Sequence, residues 1–340
     1  MPQIEIYRTP AGFEKLASEW NHLVQNSHSN SIFMTLEWQR TWWQQLGEGE
    51  LCLIAVRHEN GNLIGLAPLF SGPDEKFRYT LKIVGSKDLS DYLDWIVAPG
   101  KEKEVYNAIL KALLTRSEIP GWEALSLCNL PENSPTLEFL PILARNHGLV
   151  SEQSLDDNCP IIPLPTNWDA YLNQLNKKQR HELQRKLRRS TDLTCSIADS
   201  EEGLENGLAI LINLMEKSQP EKAAFIQDIR HRTFFQTVSQ ELATQGWLKI
   251  YILNTPDRAV AAYLTFPYNR RLLIYNSGFD PNYAAQSPGI TLGAHLIRQA
   301  IENGLEIVDF MRGTESYKYD LGGIDTSVKR LRLIRVLARI

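Results

Sequence analysis

Cysteine is scarce in this chain: Cys52, Cys128, Cys159 and Cys195 are the four in 340 residues. None stands in a CxxC pair or a Cys/His ligand spacing, which removes the common zinc and dithiol frameworks. Cys52 and Cys128 fall inside apolar strand-like runs, where a free thiol behaves as a small hydrophobe. Long apolar runs are missing as well, and none approaches the ~20 residues that cross a bilayer. The first residues, MPQIEIYRTP, have neither a basic stretch nor an apolar core, so no signal peptide and a cytoplasmic location are expected. An excess of one charge is also absent. The formal net charge of -4 argues against a general nucleic-acid binder, although a local basic patch remains compatible with it. The GxSxG, P-loop, GxGxxG and HExxH patterns are not found, so hydrolase-triad, nucleotide-triphosphatase, dinucleotide and zincin readings lack their usual starting points. No metal is expected.

What is present is ordinary globular composition, 43% hydrophobic and 22% charged, at a length that suits two domains of ~150 residues. Leu51 to Phe70, LCLIAVRHENGNLIGLAPLF, reads as two strands around an Asn60-Gly61 turn. Leu248 to Phe266 repeats the pattern around Pro256-Asp257. Helical periodicity precedes both hairpins, over Phe13–Leu23 and Leu36–Leu46 in the first half and Leu204–Glu216 and Phe225–Leu242 in the second. After the first hairpin, Leu81–Val84 and Tyr92–Val97 read as strands, Glu104–Leu114 as a helix and Trp122–Leu127 as a strand. After the second come a strand at Leu272–Asn276, a helix at Ile290–Ile301 and a strand at Leu305–Phe310. The order is strand, two helices, hairpin, strand, helix, strand in both halves. It predicts an α/β (α+β) protein of two similar domains, 1–160 and 161–340, each a mixed, mainly antiparallel sheet flanked by helices. Pro160, Pro163 and Pro165 suit an extended connector between them.

The segment from Gln286 to Thr291, QSPGIT, follows a strand and opens a helix. Pro288 fits the first helical turn, where its missing N–H is no loss, and Gly289 removes a side chain where an anion would meet the free amides of a helix start. The hexapeptide is similar to the Q/R-x-x-G-x-G/A signature of the GNAT acyltransferase superfamily. That resemblance implies that Gln286, Ser287, Gly289, Ile290 and Thr291 bind the pyrophosphate of CoA. Thr291 departs from the pattern, standing where the family has Gly or Ala. A wider resemblance, to the CelD-type acetyltransferases linked to cellulose and exopolysaccharide biosynthesis, rests on an ordered set of features. These are Glu37-Trp38 with Trp42, Gly65 to Phe70, Asp91-Tyr92-Leu93-Asp94, a basic helix at 177–189, Ser277 to Gly289, and Asp309 to Lys318. That family is related to the Fem-type peptidyltransferases. The resemblance implies an acyl-CoA co-substrate, acetyl-CoA in the first instance, and direct attack by an amine on a sugar, lipid or amino-acid precursor of the cell envelope. A tRNA-dependent aminoacyl transfer and a non-catalytic scaffold in polysaccharide assembly are the alternatives. The first half has VAPGKEKEVYN, Val97 to Asn107, in place of the glycine motif, so its cofactor site is expected to be degenerate.

Direct transfer needs groups that move protons and stabilise an oxyanion. Asp309, at a strand end between Val308 and Phe310, is expected to be desolvated. Tyr317 lies where GNAT enzymes often place a general acid, and Lys318 can stabilise a developing anion. Each has a structural alternative: a carboxylate caps a loop, and a Tyr-Lys pair packs and snorkels. Asp91, Tyr92 and Asp94 sit in SDYLDWIV; read as a strand, it places Asp94 on the face of Tyr92 and Ile96, either in an acceptor cleft or in a hydrogen-bonded network. Trp38 and Trp42 share a helix face and either wall a pocket or fill the core. The helix KKQRHELQRKLRR carries seven Lys/Arg residues, with Arg185 among those expected to meet an anion; a solvated face is the alternative.

Overall fold

The computed structural model describes residues 2–85 and 88–335. The chain divides into two compact units, Met1–Asp157 with Ser327–Ile340, and Asn158–Thr326. In the first, β1 (Gln3–Tyr7) leads to α1 (Ala11–Gln25) and α2 (Leu36–Leu46), then to the hairpin β2 (Glu50–Arg57) and β3 (Leu63–Gly72) and to β4 (Thr80–Ile83). After β5 (Ile96–Val97) come α3 (Glu102–Thr115), β6 (Ala124–Pro131) and α4 (Pro135–Asn146), and then β7 (Leu149–Pro163), which belongs to the second unit from Asn158 on. The second unit holds α5 (Trp168–Gln174), α6 (Lys177–Arg189), β8 (Thr194–Ala198), α7 (Glu201–Ser218), α8 (Pro220–Gln227) and α9 (Ile229–Thr244). It continues through β9 (Lys249–Asn254), β10 (Ala259–Tyr268), β11 (Arg271–Phe279), α10 (Pro288–Glu302), β12 (Ile307–Asp309) and α11 (Ser316–Asp320); β13 (Ile324–Arg335), the last described element, belongs to the first unit from Ser327 on.

Each unit repeats one sheet logic. In the first the order is β1-β2-β3-β4-β6-β13, and in the second β7-β12-β11-β10-β9-β8. The described pairings are antiparallel except for one in each unit, β4 with β6 and β11 with β12. A parallel pair cannot be closed by a tight turn and needs a crossover; α3 lies in the first crossover and α10 in the second. The apolar runs of the two hairpins account for the cores. Cys52 to Val56 are 0% exposed in β2, and Trp20, Trp38, Trp95 and Tyr106 fill the first unit. In the second, α7 packs on β10 and β11 and α10 on β9, β10 and β11. Gly278 permits the first of these contacts, because a Cβ there would lie 2.5 Å from the backbone of Leu214 and Met215. Among the described residues no helix is long and apolar enough to cross a membrane.

Three expected elements differ. Of Tyr92–Val97 only Ile96 and Val97 pair, with Leu66 and Gly65. Asp94 instead accepts the Trp95 amide on its own side chain, a local bond that competes with a strand ladder. The expected helix over Phe225–Leu242 is broken at Asp228, which is extended and caps α9 by accepting the Arg230 amide. The proline-rich stretch around Pro160 is extended but is sheet: Ile161, Ile162 and Pro163 pair with Asp309, Val308 and Ile307.

Candidate functional site

The second unit opens where its parallel pair ends. β11 and β12 pair over three residues only, Arg271–Leu273 against Ile307–Asp309. β12 stops there, and Met311 turns away with a positive φ of 61°. β11 runs on to Phe279, with a register shift against β10 that makes Tyr275 an extra residue. Such a bulge twists and bends a strand, so the two parallel strands diverge and leave the far half of β11 without β12 beside it.

The start of α10 faces this opening. Ser287, left-handed at φ 51°, makes no side-chain cap, and Pro288 follows as the first helical residue. The amides of Gly289 and Ile290 lie in the first turn, where a helix has no acceptor of its own. A Cβ on Gly289 would touch only the Tyr263 hydroxyl, at 3.5 Å, so the space above this backbone is clear. Tyr263 reaches up from β10 and donates to the Gly289 carbonyl at 3.1 Å. Gln286 and Ser287 border the opening, Gln286 exposed and Ser287 half-buried. Thr291 behaves otherwise. It is buried, and its hydroxyl lies 3.0 Å from Ser190 Oγ at the end of α6. Its side chain joins two helices and does not reach toward an anion.

The loop after β12 forms the floor. Asp309 is fully buried and accepts the Met311 amide at 2.9 Å, with Arg271 Nη1 3.5 Å from its other oxygen. Lys318 is 2% exposed, and its ammonium donates to the carbonyls of Met311, Arg312 and Gly313 at 3.3, 2.6 and 3.1 Å and pairs with Glu315 at 2.9 Å. Both charged residues therefore hold the shape of the loop. Tyr317 packs edge-on against Phe310, with ring centroids 6.0 Å apart. Burial, with Tyr263 and Glu315 nearby, raises its pKa well above the ordinary phenol value. The phenol therefore stays protonated at any physiological pH.

One group was not anticipated from sequence. Lys222 of α8 donates to the Ser277 carbonyl at 2.7 Å and to its hydroxyl at 3.1 Å, on the diverging half of β11. Burial lowers its pKa, Glu315 opposes the shift and Lys318 adds to it. In PEKAAF nothing marks this half-buried lysine, because the group it meets lies 55 positions away.

The candidates of the first unit are engaged in its core. Trp38 is 0% exposed, donates to Ser90 Oγ at 2.8 Å and meets Phe33 edge-on, so it serves packing and walls no pocket. Asp94 accepts from Trp95 N, Ser134 Oγ and Thr136 Oγ1. It thereby ties the loop before β5 to the start of α4. Burial raises its pKa to about 6 against the pull of those bonds. Asp91 is buried beside it in sequence, and Tyr92 lies 6.3 Å from Phe33 between ring centroids. On α6, Arg185 is turned onto Glu182 three residues back, while Arg188 and Arg189 at the end of the helix are exposed.

Residues 177–319 match the sequence profile described as Acetyltransferase (GNAT) domain. Comparison with curated proteins found no matching sequence. Among solved structures, that of FemX is similar over 97% of this chain and 96% of its own, with a TM-score of 0.67 and 12% identity. The C-terminal domain of a protein described as a lysylphosphatidylglycerol synthetase, from Agrobacterium fabrum, is similar over 96% and 93%, with a TM-score of 0.57 and 10% identity. A tandem GNAT protein from the clavulanic acid biosynthesis pathway is similar over 97% and 98%, with a TM-score of 0.50 and 11% identity. Likeness at such identities is likeness of fold. The fold likeness leaves the assignment to the profile: residues 177–319 are similar to an acetyltransferase (GNAT) domain, and that match makes the chain an acyltransferase.

Proposed function

We propose that the second unit transfers an acyl group, acetyl in the first instance, from acyl-CoA to an amine. The carrying observation is the uncapped start of α10, with Gly289 leaving its backbone open beside the diverging edge of β11. Free first-turn amides and the positive end of the helix dipole favour an anion such as the CoA pyrophosphate. Gln286 and Ser287 border that position, Gly289 and Ile290 supply amides, and Thr291 acts by anchoring the helix to α6. CoA brings the thioester. The amine nitrogen attacks its carbonyl carbon, the C–N bond forms, the C–S bond breaks, and the amine passes one proton to solvent water. Tyr317, kept protonated by burial, is suited to give a proton to the leaving thiolate. Asp309 and Lys318 act as positioning residues, since their contacts are with the loop that carries Tyr317.

For the acceptor, the CelD-type resemblance suggests an amine on a sugar, lipid or amino-acid precursor of an exopolysaccharide or the cell envelope. One observation favours a second reading, aminoacyl transfer from a charged tRNA. Lys222 engages the Ser277 carbonyl, a backbone group on the open edge that an extended CoA arm would need, and the exposed arginines of α6 suit a polyanion. Thermal unfolding with acetyl-CoA, longer acyl-CoAs and aminoacyl-tRNA separates the readings, because a ligand of the folded state raises the Tm. A rise with acyl-CoA alone is expected. A rise with aminoacyl-tRNA alone would transfer the assignment to the second reading, and no rise with any of them would leave a scaffold.

A further inference from the structure

The first unit carries a cleft of about 580 Å³ on its own sheet. Its floor is one row of side chains across four strands: Phe70 pairs with Lys82, Lys82 with Ser126, and Ser126 with Arg332. Directly paired residues project to the same face. A sheet face under a helix is ordinarily apolar, yet this row alternates an aromatic ring with cationic and hydroxyl groups. Trp42 and Leu46 of α2 wall one side, and Cys128 of β6 and Arg330 of β13, each two residues along from the row, extend the lining.

The polar groups here are incompletely used. Arg332 pairs with Asp74 at 3.2 Å and Arg330 with Asp156 at 2.8 Å, but both Nε groups, and Nε1 of Trp42, are buried without an acceptor among the described residues. Trp42 itself is 4% exposed. Buried N–H groups ordinarily find acceptors, and three that do not, around one cleft, mark a place where an acceptor-rich group is missing. Lys82 stands in the same row, its ammonium 5.3 Å from the centre of the Phe70 ring and donating to the Pro73 carbonyl at 2.7 Å. Asp74, held by Arg332, lines the cleft too, as do Glu48, Glu75 and Asp88. They repel a polyanion and so limit the ligand to a small amount of negative charge.

We propose that this cleft is a binding site for a small molecule joining one oxyanion, a carboxylate or a phosphate, to a flat apolar body. The oxyanion sits beside Lys82 and the Nε of Arg332, whose terminal nitrogen is held by Asp74, and the apolar body lies against Trp42, Leu46 and Phe70. The site belongs to the first unit alone and does not depend on the transfer chemistry proposed for the second.

Calorimetric titration of the intact protein with phenyl phosphate, benzoate and the neutral control benzyl alcohol tests this. At least one anion is expected to bind at least tenfold more tightly than benzyl alcohol, and the stronger of the two identifies the oxyanion. Lys82→Gln and Arg332→Gln are expected to weaken that binding about tenfold, and Trp42→Phe, which keeps a ring but removes the N–H, several-fold. Cys128, half-buried in the cleft, gives a readout needing no variant. Its alkylation by iodoacetamide, followed by peptide mass, should slow when the anion is bound. Equal affinity for anions and benzyl alcohol, or anion binding that leaves Cys128 alkylation unchanged, overturns the proposal.

Discussion

Three residues carry the sharpest expectations. Gly289→Val adds a branched side chain in a place where even its Cβ meets only the Tyr263 hydroxyl. The protein should fold, and CoA affinity measured by calorimetry should fall at least tenfold; unchanged affinity in the folded variant removes α10 from the cofactor site. Tyr317→Phe keeps the packing on Phe310 and deletes the acid. The turnover number is expected to drop ~10²-fold with CoA affinity preserved, and the wild-type pH–rate profile should show no tyrosine limb below pH 10, since burial holds the phenol well above that value. Asp94 bears on stability. Its folded pKa of about 6 exceeds the ~3.9 of an unfolded Asp, so the native state binds the proton more tightly. This contribution is complete below pH ~4 and is lost as pH rises through 6, amounting to about 3 kcal/mol at ~1.4 kcal/mol per unit. Asp94→Asn leaves rotatable Ser134 and Thr136 hydroxyls as partners and should flatten the difference between urea midpoints at pH 4 and pH 7. An unchanged slope would mean that Asp94 does not titrate in this range.

At the scale of elements, the loop from Met311 to Lys318 is held by its lysine. Lys318→Met removes a charged donor from three carbonyls, and a loss of about 2–3 kcal/mol is expected in urea unfolding. If stability is unchanged while turnover collapses, Lys318 acts on the transition state itself and the positioning role is wrong. The elements were legible to very different degrees. Leu36–Leu46 was bounded correctly by its apolar spacing, and both hairpins by apolar runs around turn residues. The break at Asp228 and the loop at Asp91–Asp94 were not, because each depends on a side chain satisfying a nearby amide, and apolar periodicity carries no sign of that. β13 escaped sequence reading as well: Val328, Leu331 and Leu333 are 0% exposed, but charges interrupt them in TSVKRLRLIR.

For the molecule as a whole, the return of the chain end matters most. Residues 328–334 pair with β6 inside the first unit. A chain ending at residue 326 would leave β6 with an open edge and expose the apolar row that faces Val328 and Leu331. Such edges recruit other chains, so the truncated protein is expected to aggregate or to lose the cooperative melt of its first unit. A truncated protein with a wild-type melt would show that the strand is dispensable.

The sequence by itself determined the repeat of the α/β pattern, the hairpins, and the strand–turn–helix context of QSPGIT. All of these are local: they follow from alternation, turn chemistry and the missing side chain of Gly289. The tertiary structure decided what each polar residue does. It turned Thr291 toward Ser190 and Lys318 inward onto three carbonyls, buried Trp38 while leaving Trp42 on a cleft, and brought Lys222 to Ser277 across 55 positions. Those outcomes depend on which distant group lies within hydrogen-bond reach, a property of the packed chain that neither periodicity nor spacing encodes.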